Sequence, residues 1–317
     1  MNTPTNTPQS TSSTDFELNY RAWRDRCDQV TNLDKLFVIG CAKSGTTWLE
    51  KLLDGHPELH VKGEGRYFWS LAQSLQQAFA NFNQSLPAQG DDHLPYWPSA
   101  DFSYILRATI EASLARSLTK SPPNPRLKII GDKTPMHTLA VAPLHQLFPK
   151  AKFIHIIRDP RDATISQWLF WAKDNDPRPF EEFVEYSITK VWPLNVESAR
   201  KAGKALGDLY TEVRYEDLLA DTAAELTRLT NFLGVDTNTD SIESCLANGN
   251  FKANAGGREQ GTDTGTGQLF RKGIAGDWKN HIPEALAAKC CLQIKDLMES
   301  CNYDPNPDPA PTLTAAQ

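Results

Sequence analysis

The segment that most constrains the fold of this chain is Phe37-Val-Ile-Gly-Cys-Ala-Lys-Ser-Gly-Thr-Thr-Trp48. The apolar run at residues 36–39 is typical of a buried strand, and a helix is predicted over residues 46–54, up to a glycine. Backbone N–H groups at a helix start are unpaired and, with the helix dipole, favour an anion. Lys43 would add a cation, and hydroxyl donors would come from Ser44, Thr46 and Thr47. This pattern predicts an anion site, although a plain glycine turn with surface Lys and Ser would share it.

Strand and helix patterns alternate along the rest of the chain. Further strands are predicted at residues 127–130, 152–157 and 209–215, and further helices at residues 136–148, 159–173, 222–233 and 283–301. This alternation predicts an α/β fold in which helices flank both faces of a central parallel sheet.

Composition sets the outer limits of the domain. Residues 1–15 and the Pro-rich residues 304–317 are expected to be disordered tails, leaving residues 16–303 as a single domain.

The net charge of −6 argues against a general nucleic-acid or membrane surface. The chain shows no signal peptide and no apolar run long enough to cross a bilayer, so a cytoplasmic location with reduced cysteines is expected. Residues 84–101 and the Gly-rich residues 253–268 are expected to be mobile, the latter as a lid or as disorder.

The turn does not follow the Walker A pattern. Gly40 and Gly45 have the required separation, but Thr46 stands where the lysine belongs. The lysine lies inside the turn instead, at Lys43. Such a lysine would sit near the bridging oxygen of a donor shorter than a nucleoside triphosphate.

Two later motifs carry further cations. In Ile156-Ile-Arg-Asp-Pro-Arg-Asp-Ala-Thr-Ile-Ser-Gln-Trp168, Arg158 follows a strand and Ser166 comes about two helical turns later, so both could reach one anion. Alone, this motif could be a solvated salt-bridge cluster, and Arg161 is expected to be structural. In Phe270-Arg-Lys-Gly-Ile-Ala-Gly-Asp-Trp-Lys279, two adjacent cations and two glycines are typical of a phosphate contact.

Taken together, the three motifs resemble those of sulfotransferases that use 3′-phosphoadenosine 5′-phosphosulfate (PAPS). The resemblance runs from about Leu36 to about Asn280. It implies the P-loop NTPase-like sulfotransferase fold. It also implies transfer of a sulfonate group to an acceptor hydroxyl or amine by in-line displacement, with release of adenosine 3′,5′-bisphosphate (PAP) and without a metal ion.

The resemblance also implies roles for individual residues. Lys43 would contact the bridging oxygen and support the leaving phosphate, and Phe251 and Tyr215 would lie on the adenine side, although either could be a core residue. The donor-binding residues that it implies are Lys43, Ser44, Gly45, Thr46, Thr47, Trp48, Arg158, Ser166, Tyr215, Phe251, Arg271, Lys272 and Gly273.

Two other segments indicate which residue is the general base. Residues 131–137 resemble the EKTP-type segment of glycan-modifying members, and residues 61–68 resemble the region where those members place a glutamate base. Glu64 is therefore the expected base, with Lys133 as a second cation near the sulfonate. Partial burial is expected to raise the pKa of Glu64. His137 is the alternative base, unless it is an ordinary residue on a helix surface.

Several alternatives remain open in the sequence. A P-loop kinase or NTPase would turn over ATP with Mg²⁺, and a non-catalytic module would only hold PAP. The acceptor could be a small molecule, glycan, lipid or peptide, and the oligomeric state is not readable. Its pocket is expected near residues 67–69, 91–103 and 168–176. The aromatic residues that would form its wall, unless they are core residues, are Trp69, Tyr96, Trp97, Trp168, Phe170 and Trp171.

Overall fold

The structure is a computed structural model that describes residues 13–86, 96–119, 124–262 and 267–306. Within these ranges, five parallel strands form one sheet in the order β2-β3-β1-β4-β5. The strands are β1 (Asp34–Gly40), β2 (Leu59–Val61), β3 (Ile129–Lys133), β4 (Lys152–Ile157) and β5 (Tyr210–Arg214). The expected α/β class with a central parallel sheet is confirmed.

Fifteen α-helical segments surround the sheet among the described residues. They are α1 (Ser13–Asn32), α2 (Thr46–Asp54), α3 (Ala72–Ser85), α4 (Ser99–Ser117), α5 (Val141–Leu147), α6 (Pro160–Gln167), α7 (Lys173–Asn175), α8 (Phe180–Tyr186), α9 (Trp192–Leu206), α10 (Tyr215–Ala220), α11 (Thr222–Leu233), α12 (Thr239–Asn248), α13 (Phe251–Asn254), α14 (Glu284–Gln293) and α15 (Lys295–Ser300). Single turns of wider or tighter helix occur at Tyr67–Leu71, Pro135–Leu139, Trp168–Ala172, Ser187–Val191, Gly207–Leu209 and Asp277–Asn280.

The strand order places a binding crevice between β1 and β4. From β1 the chain continues toward β2 and β3 on one side, whereas β4 leads to β5 on the other. Gly40 at the end of β1 pairs in register with Ile156 near the end of β4. The segments that follow these two strands therefore leave the sheet side by side, at the point where such folds bind ligands.

Both faces of the sheet are buried, as alternation along β1 shows. Phe37 and Ile39 pack on one face, against a layer that includes α4 and α5. Leu36 and Val38 point to the opposite face, where α2 and α11 cover them. A third apolar cluster, around Trp192, lies beneath α6. All six cysteines are free thiols, and all but Cys27 are buried.

Several predicted boundaries match the structure, and others need correction. The strand at residues 152–157 and the helices at residues 46–54 and 222–233 are confirmed. The helices predicted at residues 136–148, 159–173 and 283–301 are each divided, and the strand predicted at residues 127–130 lies later, at β3. The three-residue strand β2 and the helices α1, α3, α4, α8, α9, α10, α12 and α13 were not anticipated.

Of the two expected tails, residues 1–12 and 307–317 lie outside the described residues. Residues 13–15 belong to α1. No helix within the described ranges has the length and apolar character that a bilayer crossing requires.

The core packing makes one stability prediction. Phe37 is fully buried between Phe148 and Phe153, so Phe37→Ala should lower the free energy of unfolding by about 3–5 kcal/mol. Phe16 is 59% exposed, and Phe16→Ala should change the free energy of unfolding by less than about 0.5 kcal/mol. Urea titration followed by circular dichroism measures both, and equal losses would contradict this account of the core.

Candidate active site

Residues 41–45 form the turn between β1 and α2, and two of them have left-handed backbone angles. Lys43 has φ 65° and Gly45 has φ 96°. A residue other than glycine carries about 1–2 kcal/mol of strain in this region, which is typical of a functional position. Gly45 provides no side-chain cap for α2, so the first N–H groups of α2 remain available to a ligand at the turn.

Glycine is required at position 45 because Tyr215 packs against the turn. A Cβ atom on Gly45 would lie 2.5 Å from the Tyr215 ring. Tyr215 is buried at the start of α10, and its ring lies edge-on to Trp48 with centroids 5.6 Å apart. The residue that directly follows the edge strand β5 therefore supports the turn.

Arg158 connects the turn to the third motif. Its Nη1 donates to the carbonyl of Lys43 at 3.2 Å, and its Nη2 donates to the carbonyl of Ile274 at 3.0 Å. The guanidinium also lies 4.3 Å from the centre of the Tyr215 ring. Within the described part of the chain, the buried Nε of Arg158 has no hydrogen-bond partner. One side chain thus joins segments that are more than 100 residues apart, and it keeps one donor for a ligand.

The cations of the third motif are held by a buried aspartate. Asp277 accepts from Arg271 Nη2 at 2.5 Å and from Lys272 Nζ at 2.8 Å. Burial opposes the charge of Asp277, but hydrogen bonds from Lys272, Asn280 and Arg271 outweigh burial and hold its pKa well below the ordinary value. Among the described atoms, Nε and Nη1 of Arg271 are buried without a hydrogen-bond partner. Arg271 is therefore fixed on one side and can still donate to an anion.

A second aspartate anchors the same segment on α6. Asp162 accepts from the backbone N–H of Gly276 at 2.6 Å and from that of Trp278 at 2.9 Å. Arg161 makes a two-pronged ion pair with Asp159 and lies over the Trp278 ring at 4.3 Å. Arg161 is thus a structural residue, as the sequence suggested.

These segments enclose a cavity of about 930 Å³. It lies at the carboxyl ends of β1 and β4, where the register places the turn and Arg158 together. The predicted site residues that line it are Lys43, Gly45, Thr46, Thr47, Trp48, Glu64, Arg158, Ser166, Tyr215, Phe251, Arg271, Lys272 and Gly273. The three motifs therefore converge on one space.

Two predicted site residues lie just behind the cavity wall. Ser44 is fully buried, and its hydroxyl has no hydrogen-bond partner within the described ranges. Lys133 is 4% exposed and donates to Glu64, which lines the cavity. Both lie next to residues that do line the cavity.

Positive charge is concentrated around Lys43. Burial and the nearby cations Arg158, Lys133 and Arg271 lower the pKa of Lys43 to about 8. The Lys43 ammonium lies 3.7 Å from the centre of the Phe170 ring. Among the described residues, no group of three or more His, Cys, Asp or Glu side chains could hold a metal ion. The local surplus of cations favours an anionic ligand.

Glu64 lies on the cavity wall and is held by Lys133. The Lys133 Nζ is 2.5 Å from Glu64 Oε1 and 3.5 Å from Glu50 Oε2, and Arg66 Nη2 is 3.5 Å from Glu64 Oε2. Burial acts to raise the pKa of Glu64, but the hydrogen bond and charge of Lys133 outweigh it and lower the pKa. The expected rise is therefore wrong, because it left out a partner that only the fold brings close.

His137 lies in the core beneath the cavity. Its ring is fully buried and stacks against Tyr67 and Trp69, with centroids 5.6 and 5.8 Å apart. Its Nδ1 is 3.3 Å from Asp132 Oδ1. His137 does not line the cavity, so the geometry favours Glu64 over this alternative base. The other interpretation, that His137 is an ordinary residue on a helix surface, is wrong because its ring is buried.

Aromatic residues and glycines form the end of the cavity near Trp48. Trp48 Nε1 donates to the carbonyl of Gly249 at 3.0 Å, which ties α2 to the segment after α12. A Cβ atom on Gly273 would lie 2.6 Å from the Phe251 ring. Phe251 thus packs against the third motif as well as lining the cavity.

The Gly-rich segment borders the third motif. Arg258 donates to the carbonyls of Phe270 and Arg271, and the N–H of Gly261 donates to the carbonyl of Lys272 at 2.8 Å. Gln260 lines the cavity. Residues 263–266 of this predicted lid lie outside the described residues. The described part is hydrogen-bonded to the motif that it would cover.

The expected acceptor wall is only partly present. Trp69, Phe170 and Trp171 line the cavity. Trp97 stacks on Phe79 with centroids 5.1 Å apart, and Trp168 packs on Phe180 at 5.3 Å. Trp97, Trp168 and Tyr96 do not line it, and residues 91–95 of the expected pocket lie outside the described residues.

Sequence reasoning missed Asp162, Asp277, Glu50 and Arg66. The two aspartates lie within motifs that had been identified, and a carboxylate beside paired cations is a usable signal. Arg66 has φ 47° and lines the cavity beside Glu64. No spacing rule would connect Glu50 to Lys133, since 82 residues of chain separate them.

Comparison with known proteins assigns the family. A family model described as "Sulfotransferase family" matches residues 35–239. Human "Sulfotransferase 2A1" is 24% identical over 283 residues, covering 83% of each chain. Rat "Sulfotransferase 2A1" is 26% identical over 285 residues, covering 84% of this chain and 86% of the relative. The chain belongs to the sulfotransferase family and is therefore a transferase.

Solved structures agree with the fold. The mouse sulfotransferase SULT7A1, crystallised with PAP, has a TM-score of 0.54 at 17% identity, covering 84% of this chain and 85% of that chain. Sulfotransferase STF9 from Mycobacterium avium has a TM-score of 0.52 at 14% identity, covering 90% and 81%. The fold is thus the one that sulfotransferases share.

The turn yields a second stability prediction. Gly45→Ala should lower the free energy of unfolding by about 2–4 kcal/mol, from left-handed strain and from the clash with Tyr215. Gly257 has φ 88° with nothing within 4 Å of a Cβ atom, so Gly257→Ala should show only the strain, about 1 kcal/mol. Denaturant unfolding compares the two. Similar losses would mean that Tyr215 yields and does not determine the residue at position 45.

Proposed function

We propose that the protein transfers a sulfonate group from PAPS to an acceptor hydroxyl or amine and releases PAP. The observation that carries this proposal is the position of Arg158, which bonds to Lys43 in the turn and to Ile274 in the third motif. The basic groups of the cavity thus stand in two places: at the turn, and around Arg158 and Arg271. A nucleotide with phosphate at both ends of its ribose has this distribution of charge.

The 5′ end of the donor would lie over the turn, and the 3′-phosphate would meet the second and third motifs. Lys43 and the first N–H groups of α2 would receive the 5′-phosphosulfate. The unpaired donors of Arg158 and Arg271 would receive the 3′-phosphate, together with Ser166, Lys272 and Gly273. Trp48, Tyr215 and Phe251 would border the adenosine.

The reaction would be an in-line displacement at sulfur. The acceptor oxygen or nitrogen forms the new bond to sulfur while the bond from sulfur to the 5′-phosphate oxygen breaks. The electron pair of that bond leaves on the phosphate, where Lys43 stabilises the growing charge. The remaining rate enhancement would come from holding the acceptor and donor in line.

Glu64 would take the proton of the acceptor. Its carboxylate lies on the cavity wall, and Lys133 keeps its pKa below the ordinary value, so it is ionised at neutral pH. Lys133, which pairs with Glu64, would be the second cation near the sulfonate. Trp69, Phe170 and Trp171 would form the acceptor wall.

Calorimetry tests the donor. PAP should bind, whereas ATP with Mg²⁺ should bind at least tenfold more weakly. Arg271→Gln should weaken PAP binding at least tenfold, since a charged hydrogen bond contributes about 1.5–3 kcal/mol. Arg228→Gln, on the exposed face of α11, is the control and should bind as the wild type does. Preference for ATP would instead support a P-loop kinase or NTPase.

The pKa of Lys43 gives PAP binding a pH dependence. Its value of about 8 means that the ammonium is present below pH 8 and is lost as the pH rises through 8. PAP affinity should therefore fall above pH 8, by up to about tenfold per pH unit. Lys43→Arg keeps its charge and should remove this fall. A decline of equal slope in both proteins would show that another group titrates.

The base is tested with labelled PAPS and a panel of acceptors: a phenol, a steroid alcohol, an oligosaccharide and a tyrosine peptide. Glu64→Gln should reduce turnover of the best acceptor by about 10²–10⁴-fold while PAP binding stays within about twofold. Glu185→Gln breaks an exposed ion pair with Lys289, away from the cavity, and should have no effect. Normal turnover in Glu64→Gln would refute this base, and no transfer by the wild type to any acceptor would favour a PAP-binding module.

A further inference from the structure

Glu50 is a buried carboxylate beside the proposed active site. It lies in the second turn of α2, seven residues after Lys43, and is 7% exposed. Its neighbours on the buried face of α2 include Leu49, Leu52 and Leu53, which pack in the core. A carboxylate among such residues requires a charged or hydrogen-bonding partner, because burial alone disfavours the ion.

Lys133 is that partner, and Glu50 shares it with Glu64. The ammonium of Lys133 lies 3.5 Å from Glu50 Oε2 and 2.5 Å from Glu64 Oε1. Lys133 ends β3, where it pairs in register with Val38 of β1, so it stands next to the strand that leads into the turn. One cation thus lies between a carboxylate in the core and a carboxylate on the cavity wall.

The triad of Glu50, Lys133 and Glu64 contains more acidic than basic side chains. Two carboxylates share one ammonium. The other groups that face Glu50 are Lys51 on its own helix and Lys62 after β2, and the other groups that face Glu64 are Arg66 and Lys43. Burial raises the pKa of Glu50, whereas Lys133 holds that of Glu64 down. The two carboxylates therefore compete for Lys133, and each weakens the ion pair that Lys133 makes with the other carboxylate.

We propose that Glu50 is a positioning residue that holds Lys133 at the cavity and shares its charge, so that Glu64 remains an effective base. This inference rests on the proposed function. When Glu64 takes the acceptor proton, it loses its charge and no longer forms an ion pair with Lys133. Glu50 then remains as the counter-ion, so the buried ammonium is not left unpaired. Lys133 would therefore keep its place on the sulfonate side throughout.

The experiment titrates the glutamate side chains by NMR in protein carrying ¹³C at the glutamate carboxyls. The Glu64 resonance is assigned by its loss in Glu64→Gln. In Glu50→Gln, Lys133 would serve Glu64 alone, so the Glu64 midpoint should fall by about one pH unit. Turnover of labelled PAPS with the best acceptor of the panel should fall about tenfold, because the base is weaker, with the Kd for PAP unchanged.

A matched control separates this effect from loss of a buried charge in general. Glu111 is 6% exposed and lies 3.9 Å from the buried Lys35, on the other face of the sheet. Glu111→Gln removes a comparable pair and should leave both the Glu64 midpoint and turnover unchanged. An equal shift of the Glu64 midpoint in Glu111→Gln would overturn the proposal.

Glu64→Gln provides a reciprocal measurement that does not depend on the folding of Glu50→Gln. With Glu64 neutral, the Glu50 midpoint should fall by a similar amount, because coupling between two sites is mutual. An unchanged Glu50 midpoint in that variant, or an unchanged Glu64 midpoint in folded Glu50→Gln, would overturn the inference while PAP binding and transfer by the wild type still stood. Failure of the wild type to bind PAP would instead remove the proposed function, and this inference with it.

Discussion

The site depends on the hydrogen bonds of Arg158. Through two carbonyls, this side chain holds the turn after β1 and the segment after the Gly-rich stretch in one arrangement. Its own backbone is held in turn by Trp192, whose Nε1 donates to the Arg158 carbonyl at 2.9 Å. Because these partners are backbone atoms, the contact does not depend on which side chains flank them. The geometry of the cavity follows from this connection.

The same arrangement concentrates charge that the protein only partly neutralises. Asp277 neutralises one side of Arg271 and holds Lys272, and Asp162 fixes the backbone of that segment on α6. Burial and the cations that remain lower the pKa of Lys43. A doubly phosphorylated nucleotide would relieve this repulsion, so the strain in the cavity and its preference for such a ligand have one physical origin.

Sequence patterns were most reliable where a single element determines its own structure. The continuous apolar run of β4 and the glycine that ends α2 identified these elements to the residue. β2 was missed because three residues carry too little pattern. The helix predicted after β3 is divided at Ala140, where a tight turn gives way to α5, and such breaks arise from packing that a periodic pattern does not encode.

For this protein, the sequence alone determined the turn after β1, the lysine inside it and the cations of the two later motifs, since each belongs to a short contiguous segment. Only the tertiary structure decided the state of the proposed base, the burial of His137 and the pairing of Lys133 with two carboxylates. The reason is physical: the pKa of Glu64 reflects its distance from a lysine 69 residues away, and packing between strands and helices sets that distance.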